Sequence, residues 1–364
     1  MTFILQKKLQ TIVWTSRKEE KMAGTFGTTS KGEAAQLYEI RNASGMCACI
    51  TDYGANLVKL FVPDREGKLT DVVLGYEDAS GYEEGTCFIG AVVGRVANRI
   101  GGASFELNGK TYTLTDNDQG NTLHSGRDFT NQRMWEVEKL AEDSITLKLH
   151  SPEGDQGYPG SVDLFVTYSV TEDNSLSIHY TGTPTEDTLL NLTNHSYFNL
   201  AGHEAESVLS QKVMIQAESY ARADASSIPT GELVPVEETP MDFRKEKAIG
   251  QDIEADYEAL NFSRGYDHTW VIDGSGMRRA AVMRAEETGI TMEVWTDLPG
   301  VQFYTANYVE DEKGKDGVIY GRRSAACFET QFFPDAIHHS EFAQPVIKAN
   351  ELFTSKTVYQ FSIQ

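Results

Sequence analysis

The chain has 364 residues, with 32 Lys and Arg against 54 Asp and Glu, and a formal net charge of −22 at pH 7. Such an acidic surface repels nucleic acid and anionic lipid, so neither is an expected partner, and a neutral ligand suits the charge best. Hydrophobic residues make up 40% of the chain. No apolar run approaches the roughly 18 residues that a membrane-spanning helix needs, which favours a soluble globular protein.

The first 21 residues carry two short apolar groups, at 3–5 and 11–14, separated by lysines and polar residues. A secretory signal needs a longer apolar stretch. We therefore expect residues 1–21 to form a poorly ordered N-terminal extension, with Met22 as an alternative start. A weak, non-classical export signal is the competing interpretation of this segment.

The four cysteines are Cys47, Cys49, Cys87 and Cys327, and none forms a CxxC pair. This pattern argues against a disulfide framework and against a zinc ribbon, and it favours a reducing compartment such as the cytoplasm. Cys47 and Cys49 are two residues apart in a predicted strand, so they should face the same side and pack as small hydrophobic side chains.

Alternation of apolar and polar residues is the recurring pattern along the chain. It predicts strands with one buried face at residues 145–149, 164–170, 176–180, 290–294 and 359–363. Helical periodicity is limited to residues 78–84 and 247–257, which disfavours a parallel nucleotide-binding sheet. No linker rich in Pro and Ser divides the chain. We therefore predict an all-β fold, a large antiparallel β-sandwich with few short helices, formed by one domain over residues 22–364.

Two polar segments in the first half of the chain could bind a ligand. In residues 94–102, Asn98 and Arg99 could offer a fork of hydrogen-bond donors to a hydroxylated ligand, although two surface charges closing a strand explain them equally well. In residues 117–126, His124 stands in a loop beside a glycine, where a ligand can approach it. The preceding residues, 117–121, are more typical of a turn that caps its own backbone.

The strongest single feature is His195, set among polar and aromatic residues in a segment that otherwise resembles a buried strand. Far along the chain, Glu329 lies in an apolar run where loss of solvent would raise its pKa. An acid and a base are thus available, although a hydrogen-bonded core histidine and a simply paired glutamate are the plainer explanations.

Two further residues suit a sugar. Asp267 opens a strand, where its carboxylate could accept hydroxyl groups or cap a turn, and Gln302 alternates with apolar neighbours and offers both a donor and an acceptor. Trp270 and Trp295 could stack on a sugar ring, but core packing is the favoured role. Neither an HExxH metal motif nor a GxSxG nucleophile motif occurs, so no metal is expected.

Taken in order, these segments resemble the aldose 1-epimerase family, also called galactose mutarotases, from about Gly32 to the C-terminus. The matching segments are GRVANRI at 94–100, NTLHSG at 121–126, GDQGYPG at 154–160, TNHSYFNLAGH at 193–203, GELVPV at 231–236, YDHTWV at 266–271, PGVQFYT at 299–305 and ETQFFPDA at 329–336. The family often has two glycines after the loop histidine, whereas here Ser125 precedes Gly126, a change that would alter loop flexibility.

The resemblance implies a galactose mutarotase-like supersandwich that needs no cofactor and interconverts the α and β anomers of a free hexose such as galactose or glucose. It implies His195 as general acid and Glu329 as general base. Because ring opening removes one proton and adds another, we expect the two groups on opposite sides of the sugar, with a neighbouring carboxylate keeping His195 protonated near neutrality. The implied sugar-binding residues are Asn98, Arg99, His124, Asp267 and Gln302.

The expected partner is a small sugar, bound by a monomer or a homodimer. Two other functions stay open at this point. One is a non-catalytic carbohydrate-binding module on the same sandwich, which retention of both His195 and Glu329 disfavours. The other is an epimerase of phosphorylated hexoses, which would require a basic cluster that the sequence lacks.

Overall fold

The computed structural model describes residues 22–364, so the predicted extension, residues 1–21, lies outside the described part. Strands dominate this part of the chain. Its two α-helices are short, α1 (Ala79–Glu84) and α2 (Glu258–Ser263). None of the helices that the structure describes is long and apolar enough to cross a membrane.

The strands pair antiparallel throughout the named elements. The first fifteen are β1 (Ala23–Thr28), β2 (Ala34–Arg41), β3 (Cys47–Thr51), β4 (Leu57–Pro63), β5 (Leu69–Asp71), β6 (Ala91–Val93), β7 (Arg99–Ile100), β8 (Ser104–Leu107), β9 (Lys110–Thr113), β10 (Thr122–Leu123), β11 (Glu136–Leu140), β12 (Ser144–Ser151), β13 (Val162–Val170), β14 (Ser175–Pro184) and β15 (Thr188–Leu189). The others are β16 (Thr193–His195), β17 (Tyr197–Phe198), β18 (Lys212–Ile215), β19 (Ser219–Ala223), β20 (Pro229–Pro235), β21 (Lys247–Ala248), β22 (Asp267–Val271), β23 (Arg278–Arg284), β24 (Ile290–Thr296), β25 (Gly300–Tyr304), β26 (Glu312–Lys313), β27 (Ile319–Tyr320), β28 (Ala326–Gln331), β29 (Val346–Ile347) and β30 (Phe353–Ile363).

Three sheets hold most of these strands. The largest has nine strands in the order β11-β12-β13-β14-β30-β24-β23-β18-β21, the second has six in the order β17-β28-β25-β22-β19-β20, and the third runs β1 to β5. One continuous core joins them, since it contains Tyr359 of the nine-stranded sheet, Phe303 of the six-stranded sheet and Ile50 of the five-stranded sheet. The predicted antiparallel sandwich is therefore confirmed.

Burial alternates along the strands as the sequence predicted. In β13, buried and half-buried residues alternate over all nine positions, because successive side chains point to opposite faces of the sheet. The segments predicted at 145–149, 164–170, 176–180, 290–294 and 359–363 all lie in strands.

One of the two predicted helices is wrong. Residues 78–84 do form α1, whose first turn is capped by the Asp78 carboxylate. Residues 247–257 instead begin with β21 and a 3-10 turn, and α2 starts only at Glu258. Pairing of Lys247 with Val213 at the edge of the nine-stranded sheet explains the difference. The Lys247 ammonium also contacts Asp252 at 2.7 Å, so tertiary contacts override the local periodicity.

Two large aromatic side chains, including the stacking candidate Trp270, are structural. Tyr158 is fully buried in a small core cluster within the glycine-rich turn, and Trp270 is fully buried in the main core. Gly157 in that turn has φ +95°, and a Cβ there would lie 2.2 Å from the Thr113 carbonyl oxygen, which explains the glycine.

Candidate active site

Strand register brings His195 and Glu329 together. His195 ends β16, and two residues later Tyr197 begins β17, where it pairs with Cys327 in β28. Glu329 lies two residues beyond Cys327 and therefore on the same face of the sheet. As a result, His195 Nε2 is 3.6 Å from Glu329 Oε1, with both side chains almost fully buried.

The same register aligns the remaining residues of the six-stranded sheet. Gln302 in β25 lies opposite Glu329, and on its other side opposite Thr269 in β22. Asp267 precedes Thr269 by two residues, so it shares that face and lies opposite Tyr304. Strand register thus brings four predicted side chains from distant parts of the sequence close together.

Beside these side chains is a cavity of about 250 Å³. Its lining residues are Thr86, Cys87, Phe88, Asn98, Arg99, Leu123, His124, His195, Tyr197, Asp267, Tyr304, Tyr308 and Glu329. They include all the predicted site residues except Gln302, so the sequence-based selection of these positions identifies a common pocket.

Gln302 lies behind the pocket rather than in its wall. Its Nε2 donates a 2.7 Å hydrogen bond to Asp267 Oδ1, and its Oε1 accepts a hydrogen bond from the Thr269 hydroxyl. Gln302 therefore holds the Asp267 carboxyl group in place. Direct contact between Gln302 and a sugar stays a prediction.

Burial controls the protonation of His195. Its ring stacks on Tyr197 with centroids 5.0 Å apart, and its Nδ1 lies 3.6 Å from the Cys327 sulfur. Loss of solvent lowers the pKa of His195 to about 4. Burial therefore opposes the expected protonation of this imidazole near neutrality in the protein without a sugar.

Glu329 shows the opposite shift. Burial raises its pKa well above the ordinary value, the nearby Asp267 charge raises it further, and Arg99 partly opposes both. Its Oε2 is buried and has no hydrogen-bond partner among the described residues. Burial thus favours the protonated form of Glu329 and the neutral form of His195.

His124 is fixed in one tautomer by the backbone. The Asn98 amide donates a 3.1 Å hydrogen bond to His124 Nδ1, so Nδ1 is an acceptor and the ring proton sits on Nε2. Burial and the neighbouring His195 and Arg99 lower the pKa of His124 well below its ordinary value. His124 is thus a neutral hydrogen-bond donor in the pocket wall.

The loop that carries His124 is strained and tied down. Asn98, His124 and Ser125 have φ values of +60°, +50° and +69°, a region that residues other than glycine rarely adopt. The Ser125 hydroxyl accepts a 2.7 Å hydrogen bond from the Val96 amide and donates a 3.0 Å bond to the Val96 carbonyl oxygen. The serine that departs from the family pattern therefore anchors this loop.

Arg99 is oriented by a partner that the sequence assigned only to a turn. Arg99 Nε donates to Asp118 Oδ2 at 2.6 Å, and both side chains are more than four-fifths buried. The predicted turn is also present, since the Asn117 side chain accepts from the Leu123 amide and donates to the Leu123 carbonyl oxygen. Asp118 therefore links the turn to the pocket.

Comparison with known proteins gives the family. The aldose 1-epimerase family model matches residues 36–360. The galactose mutarotase of Homo sapiens is 37% identical over 316 residues, covering 86% of this chain and 90% of that protein. The aldose 1-epimerase of Escherichia coli is 32% identical over 334 residues, covering 91% and 96%. The chain belongs to the aldose 1-epimerase family, a family of isomerases.

Solved structures agree with this assignment. An aldose epimerase homologue from C. elegans superposes with a TM-score of 0.85 at 32% identity, covering 91% of this chain and 99% of that one. A galactose 1-epimerase from Lactobacillus acidophilus, at 23% identity and a TM-score of 0.82, shares the fold. The supersandwich expected for an aldose 1-epimerase is thus confirmed.

Sequence reasoning missed the aromatic side chains of this epimerase's pocket. Phe88, Tyr197, Tyr304 and Tyr308 all line it. For Tyr197 a signal was present, because it lies two residues after His195 and so shares its face in an extended chain. Phe88 gives no such signal, since its φ of +55° belongs to an irregular loop.

Proposed function

We propose that this aldose 1-epimerase interconverts the α and β anomers of a free hexose such as galactose or glucose, with His195 and Glu329 as its acid and base. The observation that carries the proposal is the buried pair itself, with Nε2 and Oε1 3.6 Å apart in the wall of a pocket of about 250 Å³. The name of the human relative, galactose mutarotase, supports galactose as a substrate.

The spacing of the pair suits the chemistry of a hemiacetal. Opening the ring requires removal of a proton from the anomeric hydroxyl and addition of a proton to the ring oxygen, and both oxygens are attached to the same carbon. Two groups 3.6 Å apart can each reach one of them, whereas they are too close to lie on opposite sides of the sugar as first expected. After rotation about the bond next to the aldehyde, the reverse transfers close the ring as the other anomer.

The proton that starts the cycle is already present in the pair. Hydrogen bonds from sugar hydroxyls to Glu329 would favour its carboxylate form and lower its raised pKa. The proton then passes to His195, which becomes the acid that protonates the ring oxygen, while the Glu329 carboxylate becomes the base. Each turnover returns the proton to the pair, so the reaction consumes no co-reactant.

The other side chains would hold the sugar. His124 offers its Nε2 proton, Asp267 offers a carboxyl group held by Gln302, and Arg99 offers its two Nη groups because its Nε is bound to Asp118. Arg99 is the one cationic side chain among the described residues that line the pocket. A single guanidinium paired with a carboxylate favours a neutral sugar over a phosphorylated one.

We assign the catalytic domain to residues 22–364 and propose a cytoplasmic location, which four free cysteines in the described chain support. A monomer or a homodimer fits the sequence equally, and sedimentation would distinguish them.

Polarimetry tests the proposed function. Freshly dissolved α-galactose should reach its equilibrium rotation faster with the protein than without it. Glu329→Gln and His195→Asn should each lower turnover by about 10²- to 10⁴-fold, which is the usual contribution of a general acid or base. Exposed counterparts, His150→Asn and Glu351→Gln, should keep the wild-type rate.

Two outcomes would contradict this assignment. If both pocket variants retained the wild-type rate, other residues would carry the reaction. If the wild-type protein bound galactose in calorimetry without accelerating the change in rotation, the protein would be a carbohydrate-binding module.

A further inference from the structure

A second cluster of potential metal ligands lies on the face of the five-stranded sheet opposite the main core. Cys47 and Cys49 share one face of β3, while Ala48 and Ile50 point the other way into the core. Glu39 in β2 is the register partner of Cys49. A carboxylate oxygen of Glu39 and the two cysteine sulfurs all lie within 4.8 Å of one another. None of the three residues lines the sugar pocket.

We propose that Cys47, Cys49 and Glu39 form a binding site for one thiophilic divalent cation of the Zn²⁺ class. Zinc takes thiolates at about 2.3 Å and carboxylate oxygens at about 2.0–2.2 Å, in tetrahedral geometry. Two sulfurs on one such ion are therefore roughly 3.8 Å apart. Atoms already within 4.8 Å need to move by about 1 Å or less to reach this geometry.

The strand geometry favours a metal over a disulfide. Residues two apart in a strand have Cα atoms separated by about 6.7 Å. That distance lies at the upper end of the range of disulfides, about 4.4–6.8 Å, so a direct sulfur–sulfur bond between Cys47 and Cys49 would be strained. A bridging ion adds two metal–sulfur bonds and removes this constraint.

The cysteines lie beside a partly exposed carboxylate. Cys47 and Cys49 are buried, at 8% and 6% exposure, whereas the neighbouring Glu39 side chain is 36% exposed. An ion would therefore approach from the Glu39 side. Glu39 contacts the Arg41 guanidinium, whose side chain is 57% exposed, and an exposed pair of this kind is readily exchanged. Lys59, the other neighbour of Cys49 in the sheet, is held by Asp316 at 3.3 Å.

Titration with Zn²⁺ tests the proposal on the full-length, reduced protein. Calorimetry should show one ion bound per chain, and Cd²⁺ in its place should give an ultraviolet thiolate-to-metal charge-transfer band. Cys47→Ser and Cys49→Ser should each remove the band. Glu39→Gln, a change at a half-buried position that keeps the shape of the side chain, should weaken Zn²⁺ binding about tenfold or more.

Cys87→Ser is the matched control, since Cys87 lies outside the cluster, and it should leave Zn²⁺ binding and the band unchanged. Circular dichroism should show that each variant is folded. The proposal fails if the wild-type protein binds no Zn²⁺, if folded Cys49→Ser keeps the band, or if Glu39→Gln binds Zn²⁺ with unchanged affinity. The result is independent of turnover, because none of these readouts measures epimerase activity.

Discussion

The charge of Arg99 influences the protonation of the two carboxyl groups in the pocket. Burial raises the pKa of both Glu329 and Asp267, and the positive charge of Arg99 partly opposes this rise at each carboxyl group. The position of Arg99 depends on the 2.6 Å contact with Asp118. In the proposed mechanism, Arg99 would therefore both bind the sugar and favour the charged form of Glu329.

Arg99→Ala should raise KM and lower kcat together. The variant loses donors for the sugar, and it also loses the positive charge that favours the Glu329 carboxylate. A combined loss of about 10²- to 10³-fold in kcat/KM is expected, since charge-stabilising groups contribute on this scale. Initial rates in polarimetry across a range of galactose concentrations separate the two constants. Arg222→Ala, at an exposed ion pair, is the control.

If Arg99→Ala lowered only the unfolding temperature and left both kinetic constants intact, Arg99 would be a structural residue alone. Initial rates for Asp118→Asn should show a smaller loss in kcat/KM than Arg99→Ala, because the guanidinium would remain but lose its fixed orientation.

Because the pKa of Glu329 is raised by burial, we expect this residue to lower the stability of the folded protein at neutral pH. Its folded-state pKa is raised, so above about pH 4.5 the unfolded chain releases a proton that the folded chain retains. The folded state then binds more protons, and stability is lost as the pH rises through this window. Glu329→Gln removes the titration, so it should unfold at the same or a higher temperature than wild type at pH 7, with the advantage vanishing near pH 4.

Thermal unfolding of Glu329→Gln and wild type at several pH values measures this difference. A variant that was less stable than wild type at pH 7 would show that Glu329 makes structural contacts that outweigh its burial.

At the scale of elements, the short strand β6 positions His195, the proposed acid. Gly90, just before β6, donates its amide proton to the His195 carbonyl oxygen at 3.0 Å and accepts from the Asn194 side chain at 3.1 Å. Gly90 has φ +71°, and a Cβ there would lie 2.1 Å from the Leu57 carbonyl oxygen. Gly90 thus lies between the backbones of β4 and β16, where only a residue without a side chain fits.

Gly90→Ala should lower both stability and turnover. Its positive φ costs about 1–2 kcal/mol for any L-residue, and the clash with Leu57 adds to this by displacing β16 and His195. Gly45→Ala is the matched control, because Gly45 has φ +97° but a Cβ added there would meet no atom within 4 Å. Urea unfolding should show the larger loss for Gly90→Ala, and polarimetry should show a turnover defect for that variant only.

Equal losses of stability in both variants, with turnover retained, would mean that the backbone conformation alone matters at Gly90.

At the scale of the whole molecule, buried neutral histidines make the fold sensitive to acid. Burial lowers the pKa of both His195 and His268 to about 4. His268 Nδ1 accepts a 3.1 Å hydrogen bond from the Asp267 amide, which requires that nitrogen to be unprotonated. His268 lies outside the pocket lining, so it tests this sensitivity apart from catalysis.

Stability should fall as the pH drops from about 6.5 to about 4. In this window the unfolded chain protonates His268 while the folded chain does not, so the unfolded state binds more protons. A shift from 6.5 to about 4 corresponds to up to ~3 kcal/mol for each such histidine. Urea unfolding from pH 7 to pH 4 should show this slope, and His268→Gln should make it shallower.

An unchanged slope in folded His268→Gln would show that His268 is protonated in the native state.

The sequence by itself determined the fold class, and it predicted residues that line one pocket. Alternation along β12 and β13 reflects burial of one face of each strand, which is a local property, so it is visible in the order of residues. The positions of His195, Glu329 and Arg99 came from motifs whose order is specific to the family, and they do line one pocket.

Only the tertiary structure decided how those residues behave. The proton distribution between His195 and Glu329 depends on burial by distant strands, and burial is a property of the assembled sheets. The positioning role of Gln302 and the approach of Glu39 to Cys49 depend on strand register across long sequence separations. Local pattern carries no information on register, which is why these features required the folded chain.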